Sequence, residues 1–248
     1  MMLSKPKVGI IIQARMGSTR LPGKVMEVVS GKTILEHIIL RLKRVKKIDA
    51  MIIATTENEK DNIISETAKD LGVGVFRGSE NNVLKRYFDA ASKFNLDIIV
   101  RITADCPVID PEIIDKTIDL FLEHSHIDYV SNTIERTFPR GLDVEVFNFS
   151  ALKKAYQEAR EEHEKEHVTP YIYSNPDKFS IFNYKNKRNY AYYRWTVDTK
   201  EDLALISVIY DKLYPKNEEF SFKDILLLFE KYPELIKINQ HIIQKPLK

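Results

Sequence analysis

The chain has 248 residues, 44% hydrophobic and 30% charged, with 38 Lys and Arg against 36 Asp and Glu. That composition excludes a disordered chain, eight glycines and ten prolines without a period exclude a collagen-like one, and the length suits one large α/β domain or two small ones. A formal charge of +2 gives no global basic field for nucleic acid or an anionic membrane, and the one cysteine, Cys106, forbids an internal disulfide and fits a reducing, cytoplasmic setting.

Residues 8–12 form a compact β-branched run, predicted to be a strand buried on both faces and too short for a signal-peptide core. Residues 33–45 carry Ile34, Ile38, Leu42 and Val45 at helical spacing, and 50–55 read as the next buried strand. Residues 58–71 read as a helix stopped at Gly72, where a left-handed cap is cheap. A short strand at 73–76, a helix at 82–94, a strand at 98–102 and a helix opened by Asp110 and Pro111 follow. Strands alternating with helices imply βαβ crossovers and a mostly parallel sheet with helices on both faces. Beyond residue 128 the alternation loosens: strands are predicted at 142–147, 179–184 and 190–197, and a helix from Ser150 to about Glu162. Thr199 with Asp202 resembles a capping box for a helix running to Tyr214, and Ser221 opens a last one. A single domain is the simplest account, with halves at 8–128 and 129–215 and a helical extension at 216–248.

In open α/β sheets ligands gather at the carboxyl ends of strands. The loop after the first strand, residues 13–24, packs Arg15, Arg20, Lys24, Ser18, Thr19, Gly17 and Gly23 into twelve positions. Glycines let backbone N–H groups approach a ligand, the arginines can fork onto phosphate oxygens, and Lys24 adds a point charge. The set suits a triphosphate, although Val25 breaks the Walker A order.

The run Ile11-Ile12-Gln13-Ala14-Arg15, with Ser18, Arg20, Leu21, Pro22 and Lys24, resembles the opening signature of cytidylyltransferases that activate acidic sugars. These are the CMP-acylneuraminate and CMP-Kdo synthetases and the spore-coat polysaccharide biosynthesis proteins of the SpsF type. Similarity to the SpsF type extends through residues 76–87, 101–107, 139–145, 166–171 and 194–199, with Asn82 standing where relatives usually carry Asp. The resemblance implies a Rossmann-like, nucleotide-diphospho-sugar transferase (glycosyltransferase-A-type) fold. It also implies transfer of CMP from CTP to a sugar acceptor, and in many relatives a homodimer with contacts beyond residue 128.

Nucleotidyl transfer calls for Mg²⁺ to offset phosphate charge. Asp105 follows a buried strand, in the right place for a ligand, and the resemblance implies Asp198 as the second carboxylate; read alone, each serves equally as a turn or capping residue. Arg15, Lys24, Asp105 and Asp198 are thus the expected catalytic set, and Ala14, Arg15, Gly17, Ser18, Arg20 and Lys24 the nucleotide-binding one. The resemblance adds Arg77 and Ser79 beside the nucleobase. Arg140 and His167 are cationic candidates for an acidic acceptor; Arg101 is another, or else a partner of Asp105. Other readings are a transferase using a different nucleoside triphosphate, a glycosyltransferase, a non-catalytic nucleotide- or sugar-binding partner, or an RNA-binding module that the charge balance disfavours.

His163-Glu164-Lys165-Glu166-His167 spells the H-E-x-x-H zinc pattern, but its wholly charged surroundings favour a solvated helix face. Cys106 has no base partner recognisable in sequence, and Tyr192, Tyr193 and Trp195 read as core or a dimer contact rather than a base-stacking surface.

Overall fold

A computed structural model describes residues 5–124 and 126–244. In chain order the elements are β1 (Val8–Gln13), β2 (Val28–Val29), β3 (Lys32–Thr33), α1 (Ile34–Leu42), β4 (Ala50–Thr56), α2 (Asn62–Asp70) and β5 (Gly74–Gly78). There follow α3 (Val83–Lys93), β6 (Ile98–Thr103), α4 (Pro111–Glu123), β7 (Tyr129–Ser131), β8 (Glu145–Asn148), α5 (Phe149–Glu158) and α6 (Glu162–His167). The chain continues through α7 (Pro170–Tyr173), β9 (Ile181–Asn183), α8 (Lys200–Leu213) and α9 (Phe222–Lys231).

Seven strands form one sheet in the order β5-β4-β1-β6-β8-β7-β9, with β8 antiparallel to both its neighbours; β2 and β3 make a separate small hairpin. The β-branched runs expected from sequence occupy the centre, where both faces are covered. Val8, Ile10 and Ile12 pack on one side with α1, α4, α8 and α9, whereas Ile11 packs on the other with α3 and α5. That two-sided burial is why these strands show no polar alternation.

Several boundaries differ from the sequence reading. Thr33 caps α1 with Glu36, so the helix begins at Ile34 and ends before Lys43. Residues 59–61 form a separate 3-10 turn before α2, while Gly72 adopts φ +70° as expected. Asn148, not Ser150, caps α5, which stops at Glu158. The largest correction is the strand expected at 190–197, which reduces to one bridge between Arg140 and Arg194. Its amides do not form a continuous ladder: Trp195 N–H donates to the Arg140 carbonyl and Val197 N–H to that of Asp105, in different loops. Residues 216–244 also pack into the domain, since Phe222, Phe229 and Tyr193 surround the fully buried Trp195.

The order of strands locates the site. From β1 the chain builds outward through β4 to β5, then returns to place β6 on the opposite side of β1. The crevice at the carboxyl end of such a switch point is where ligands bind in open α/β sheets. Gln13 and Thr103 lie in register there, so the loops after β1 and β6 leave the sheet side by side.

Candidate active site

The loop after β1 is tied down before its charges are presented. Met16 N–H donates to buried Asp61 at 2.8 Å, and the Met16 carbonyl accepts the amides of Ser18 and Gly23 at 2.9 and 3.0 Å. Leu21 and Val25 are buried, and Gly23 between them takes φ +73°, a left-handed conformation suited to glycine. Lys24 begins the short 3-10 turn that follows. Its ammonium reaches three acceptors: Asp105 Oδ2 at 3.1 Å, Asp198 Oδ1 at 2.9 Å and the Val197 carbonyl at 2.7 Å. Arg20 joins from the same loop, 2.8 Å from Asp198 Oδ2.

The two carboxylates come from distant parts of the chain but share a backbone connection. The Asp105 carbonyl accepts Val197 N–H at 2.8 Å and the Thr196 hydroxyl at 2.9 Å. Asp105 Oδ1 also accepts the Thr103 hydroxyl at 2.5 Å. Burial works against the Asp105 carboxylate, but Lys24 and the Thr103 hydroxyl hold its pKa below the usual value. Burial likewise opposes the Lys24 ammonium; the two carboxylates more than offset it and raise its pKa.

Sequence reasoning missed what orients Asp198. Arg194 forks onto Asp202 at 2.8 and 2.9 Å and gives one further bond to Asp198 Oδ2 at 2.8 Å. Asp202, fully buried, also accepts the amides of Asp198 and Thr199 and the side-chain amide of Asn239. Asp202 was legible only as part of the capping box, which it does form with Thr199. Asp61, which anchors Met16, was likewise unmarked: it follows Glu57 and Glu59 in a charged loop after a buried strand, and nothing in the sequence singles it out.

The other expected residues are not all gathered here. Arg15 reaches toward Glu166 at 3.8 Å, with the Arg15 side chain part-exposed and that of Glu166 exposed. The backbone N–H of Ala14 donates to the Ala54 carbonyl, so Ala14 is held at the sheet edge. Gly17 lies against Glu80, one residue past Ser79, while the Ser79 hydroxyl accepts Asn82 N–H at 3.1 Å. Asn82 caps α3 through Lys85 N–H, a role that Asn fills as well as Asp. Arg77 lies within β5, and its guanidinium is engaged by the Thr56 and Asn58 carbonyls and Asn62 Oδ1. That corrects the expectation of a turn at 77–79: the strand runs through Gly78, the Arg77 guanidinium is taken up by these neighbours, and Ser79 follows the strand end.

Of the two cationic candidates for an acceptor, Arg140 is half-buried, with no carboxylate partner among the described residues; burial and the neighbouring Arg136 and Arg194 lower its pKa. Arg101 pairs with Glu145, not with Asp105, because it points to the face of the sheet occupied by α3 and α5. Glu145 also accepts the hydroxyls of Tyr129 and Thr169. The Thr169 bond holds the end of α6, where buried Val168 is forced to φ +73°, rare for a β-branched residue, and His167 stands half-buried beside it. His163 and His167 sit on the six-residue α6, none of whose side chains is fully buried. Cys106 is buried against Thr103 and Asp105, and burial pushes its thiol pKa well up.

Comparison with known proteins decides the family: a cytidylyltransferase family model matches residues 9–238. The chain is a member of the cytidylyltransferase family. Its sequence is 34% identical to the spore coat polysaccharide biosynthesis protein SpsF of Bacillus subtilis over 232 residues, covering 90% of this chain and 94% of that one. A cytidylyltransferase structure from Leptospira borgpetersenii superposes with a TM-score of 0.91 at 42% identity, covering 98% of this chain and all of the other. A CMP-2-keto-3-deoxy-manno-octonic acid synthetase solved with CTP matches at TM-score 0.65 and 17% identity, over 83% and 99% of the two chains. That last likeness is one of fold, which is the nucleotide-diphospho-sugar transferase fold expected from the motifs. In this cytidylyltransferase, Lys24, Arg20, Asp105 and Asp198 meet at the switch point between β1 and β6, whereas Arg15 is drawn toward Glu166 of α6 and His167 stands at the end of that helix.

Proposed function

We propose that the protein transfers CMP from CTP to a hydroxyl of an acidic sugar, releasing pyrophosphate, in the assembly of a surface polysaccharide or glycoconjugate. The observation that carries this reading is the convergence of Lys24 and Arg20 on Asp105 and Asp198 at the carboxyl edge of the sheet. The sugar hydroxyl oxygen bonds to the α-phosphorus and its proton passes to solvent as the bond to the oxygen shared with the β-phosphate breaks, and no covalent enzyme intermediate is needed. Arg15, Arg20 and Lys24 bind phosphate oxygens and stabilise the charge developing on them. The Ser79 turn and the backbone at 14–18 lie beside the base. Arg140 and His167 take the acid group of the acceptor.

Asp105 and Asp198 present hard oxygen donors around a position already held by a cation, a donor set that fits Mg²⁺. Bound there, Mg²⁺ would be held by Asp105 and Asp198 and would supply positive charge to offset that of the triphosphate and the leaving pyrophosphate. We place the enzyme in the cytoplasm, as its one cysteine, buried and free, suits a reducing compartment. We further propose assembly as a homodimer through the part beyond residue 128, where Tyr192 is well exposed.

The test is pyrophosphate release from each of the four nucleoside triphosphates with Mg²⁺ and a panel of acidic sugars that includes 3-deoxy-manno-octulosonate. Release from CTP with at least one acid sugar is expected. Release from another triphosphate alone, or turnover of a nucleotide sugar instead, overturns the reading.

A further inference from the structure

We propose that Lys24 is an internal counter-ion, standing where the divalent ion goes, so that metal enters the site with the triphosphate and not ahead of it. The inference rests on the reading above of Asp105 and Asp198 as metal ligands.

Among the ion-paired side chains the charges around these carboxylates balance without any added ion, and Arg140, near enough to act on Asp198 and Arg194, adds further positive charge. Three cations, Lys24, Arg20 and Arg194, face three carboxylates, Asp105, Asp198 and Asp202. Every oxygen of the two candidate ligands already holds a donor. Asp198 Oδ1 takes Lys24, while Asp198 Oδ2 takes both Arg20 and Arg194. Asp105 Oδ2 takes Lys24, and Asp105 Oδ1 takes the Thr103 hydroxyl. The Lys24 and Asp198 side chains are only 12% and 10% exposed, so water screens this cluster weakly. Two cavities, of about 220 and 230 Å³, lie elsewhere, and neither includes a residue of the cluster.

A divalent ion arriving alone must therefore displace an ammonium that has three hydrogen bonds, and it adds two positive charges to a poorly screened group with no net negative charge. Mg²⁺ carried on a triphosphate brings compensating negative charge and offers phosphate oxygens to Lys24 and Arg20 in exchange for the carboxylates they release. The side chains differ in their freedom to make that exchange. Lys24 is a long, flexible ammonium, and the Arg20 side chain is 27% exposed. Arg194 is held by a two-point fork on buried Asp202 and by Gln244, so it keeps Asp198 oriented while the other two cations leave. Metal and nucleotide then favour one another reciprocally.

The experiment measures Mn²⁺ binding, without nucleotide, by electron paramagnetic resonance and calorimetry. The proteins are wild type, Lys24→Gln, Lys24→Met and Lys24→Arg, with circular dichroism confirming the fold of each. Expected is weak uptake by wild type and Lys24→Arg, and one site at least about tenfold tighter in Lys24→Gln and Lys24→Met as repulsion is removed. Adding Asp105→Asn to Lys24→Gln is expected to abolish the gain. Equal Mn²⁺ affinity in wild type and both neutral variants overturns the proposal, as does a gain that survives Asp105→Asn. Thermal stabilisation of wild type by Mg²⁺ and CTP, measured in parallel, separates the two claims. If it is present while Mn²⁺ affinity is unchanged, the counter-ion role fails and the nucleotide site stands; if it is absent, both fail.

Discussion

The Asp105 carbonyl oxygen accepts the Val197 amide at 2.8 Å, binding the loop after β6 to the segment that leads into α8. The spacing between the Asp105 and Asp198 carboxylates is therefore set by backbone, and Lys24 spans it with one ammonium. Whatever holds residues 194–198 in place holds the site.

One such support is the absence of a side chain at Gly141. A Cβ there would lie 2.6 Å from the backbone carbon and oxygen of Trp195, and the residue has φ +106°. Gly141→Ala is expected to lower stability in urea unfolding by about 2–4 kcal/mol, from the strained φ and the overpacking together. A change below about 0.5 kcal/mol, the range of an ordinary surface substitution, would contradict this account.

A second support is the Arg194 fork. Asp202→Ala removes both of its Asp202 contacts and leaves a buried guanidinium with Asp198 as its one remaining carboxylate partner. Breaking a buried pair in this way costs about 3–5 kcal/mol, which chemical denaturation would read directly. Unchanged stability together with unchanged CTP affinity would remove Asp202 from the support of the site.

Arg15 separates folding from binding. Its long contact with Glu166 is largely exposed and contributes at most about 1 kcal/mol, so Arg15→Ala is expected to leave the melting temperature nearly unchanged. The same variant is expected to weaken CTP binding by roughly tenfold, the loss of one charge-assisted hydrogen bond to phosphate. Full CTP affinity in calorimetry would show that Arg15 serves only Glu166.

His167 carries a pH signature. Burial lowers its pKa below the ordinary 6.5, with Arg101 and His163 adding to the effect against Glu166. The folded state therefore favours the neutral ring. Its contribution to stability is complete above pH 6.5 and is lost as pH falls from there through the folded-state pKa. Imidazole signals followed by NMR should give a midpoint below 6.5 for the resonance that disappears in His167→Gln. A midpoint at or above the ordinary value would mean that the ring is solvated.

The central strands and the residues that close the site were legible for one physical reason. Strands buried on both faces read as unbroken apolar runs, so the polar loops after Ile12 and Ile102 stood out at their carboxyl ends. Lys24 and Asp105 meet there, and the cap residues Asp110, Asn82 and Thr199 also behave as their types suggest. Residues 190–197 misled because aromatic side chains near alternate positions mimic a strand. In fact Trp195 is buried for packing, while its neighbours bond to two separate loops. The Arg194–Asp202 fork was invisible because Asp202 already had a sufficient local explanation as a cap. Arg101 was placed at the correct level of the sheet, but its partner depended on which face it pointed to, and that face holds Glu145.

The most direct test of the site as a whole is the melting temperature of wild type and Asp105→Asn with Mg²⁺ and each of CTP, ATP, GTP and UTP. A ligand bound only by the native state at one hundred times its Kd stabilises it by about 2.7 kcal/mol, a rise of several degrees. The expected result is a rise with CTP that exceeds the other three and largely vanishes in Asp105→Asn. Equal shifts from all four nucleotides, or a full CTP shift in Asp105→Asn, would contradict it.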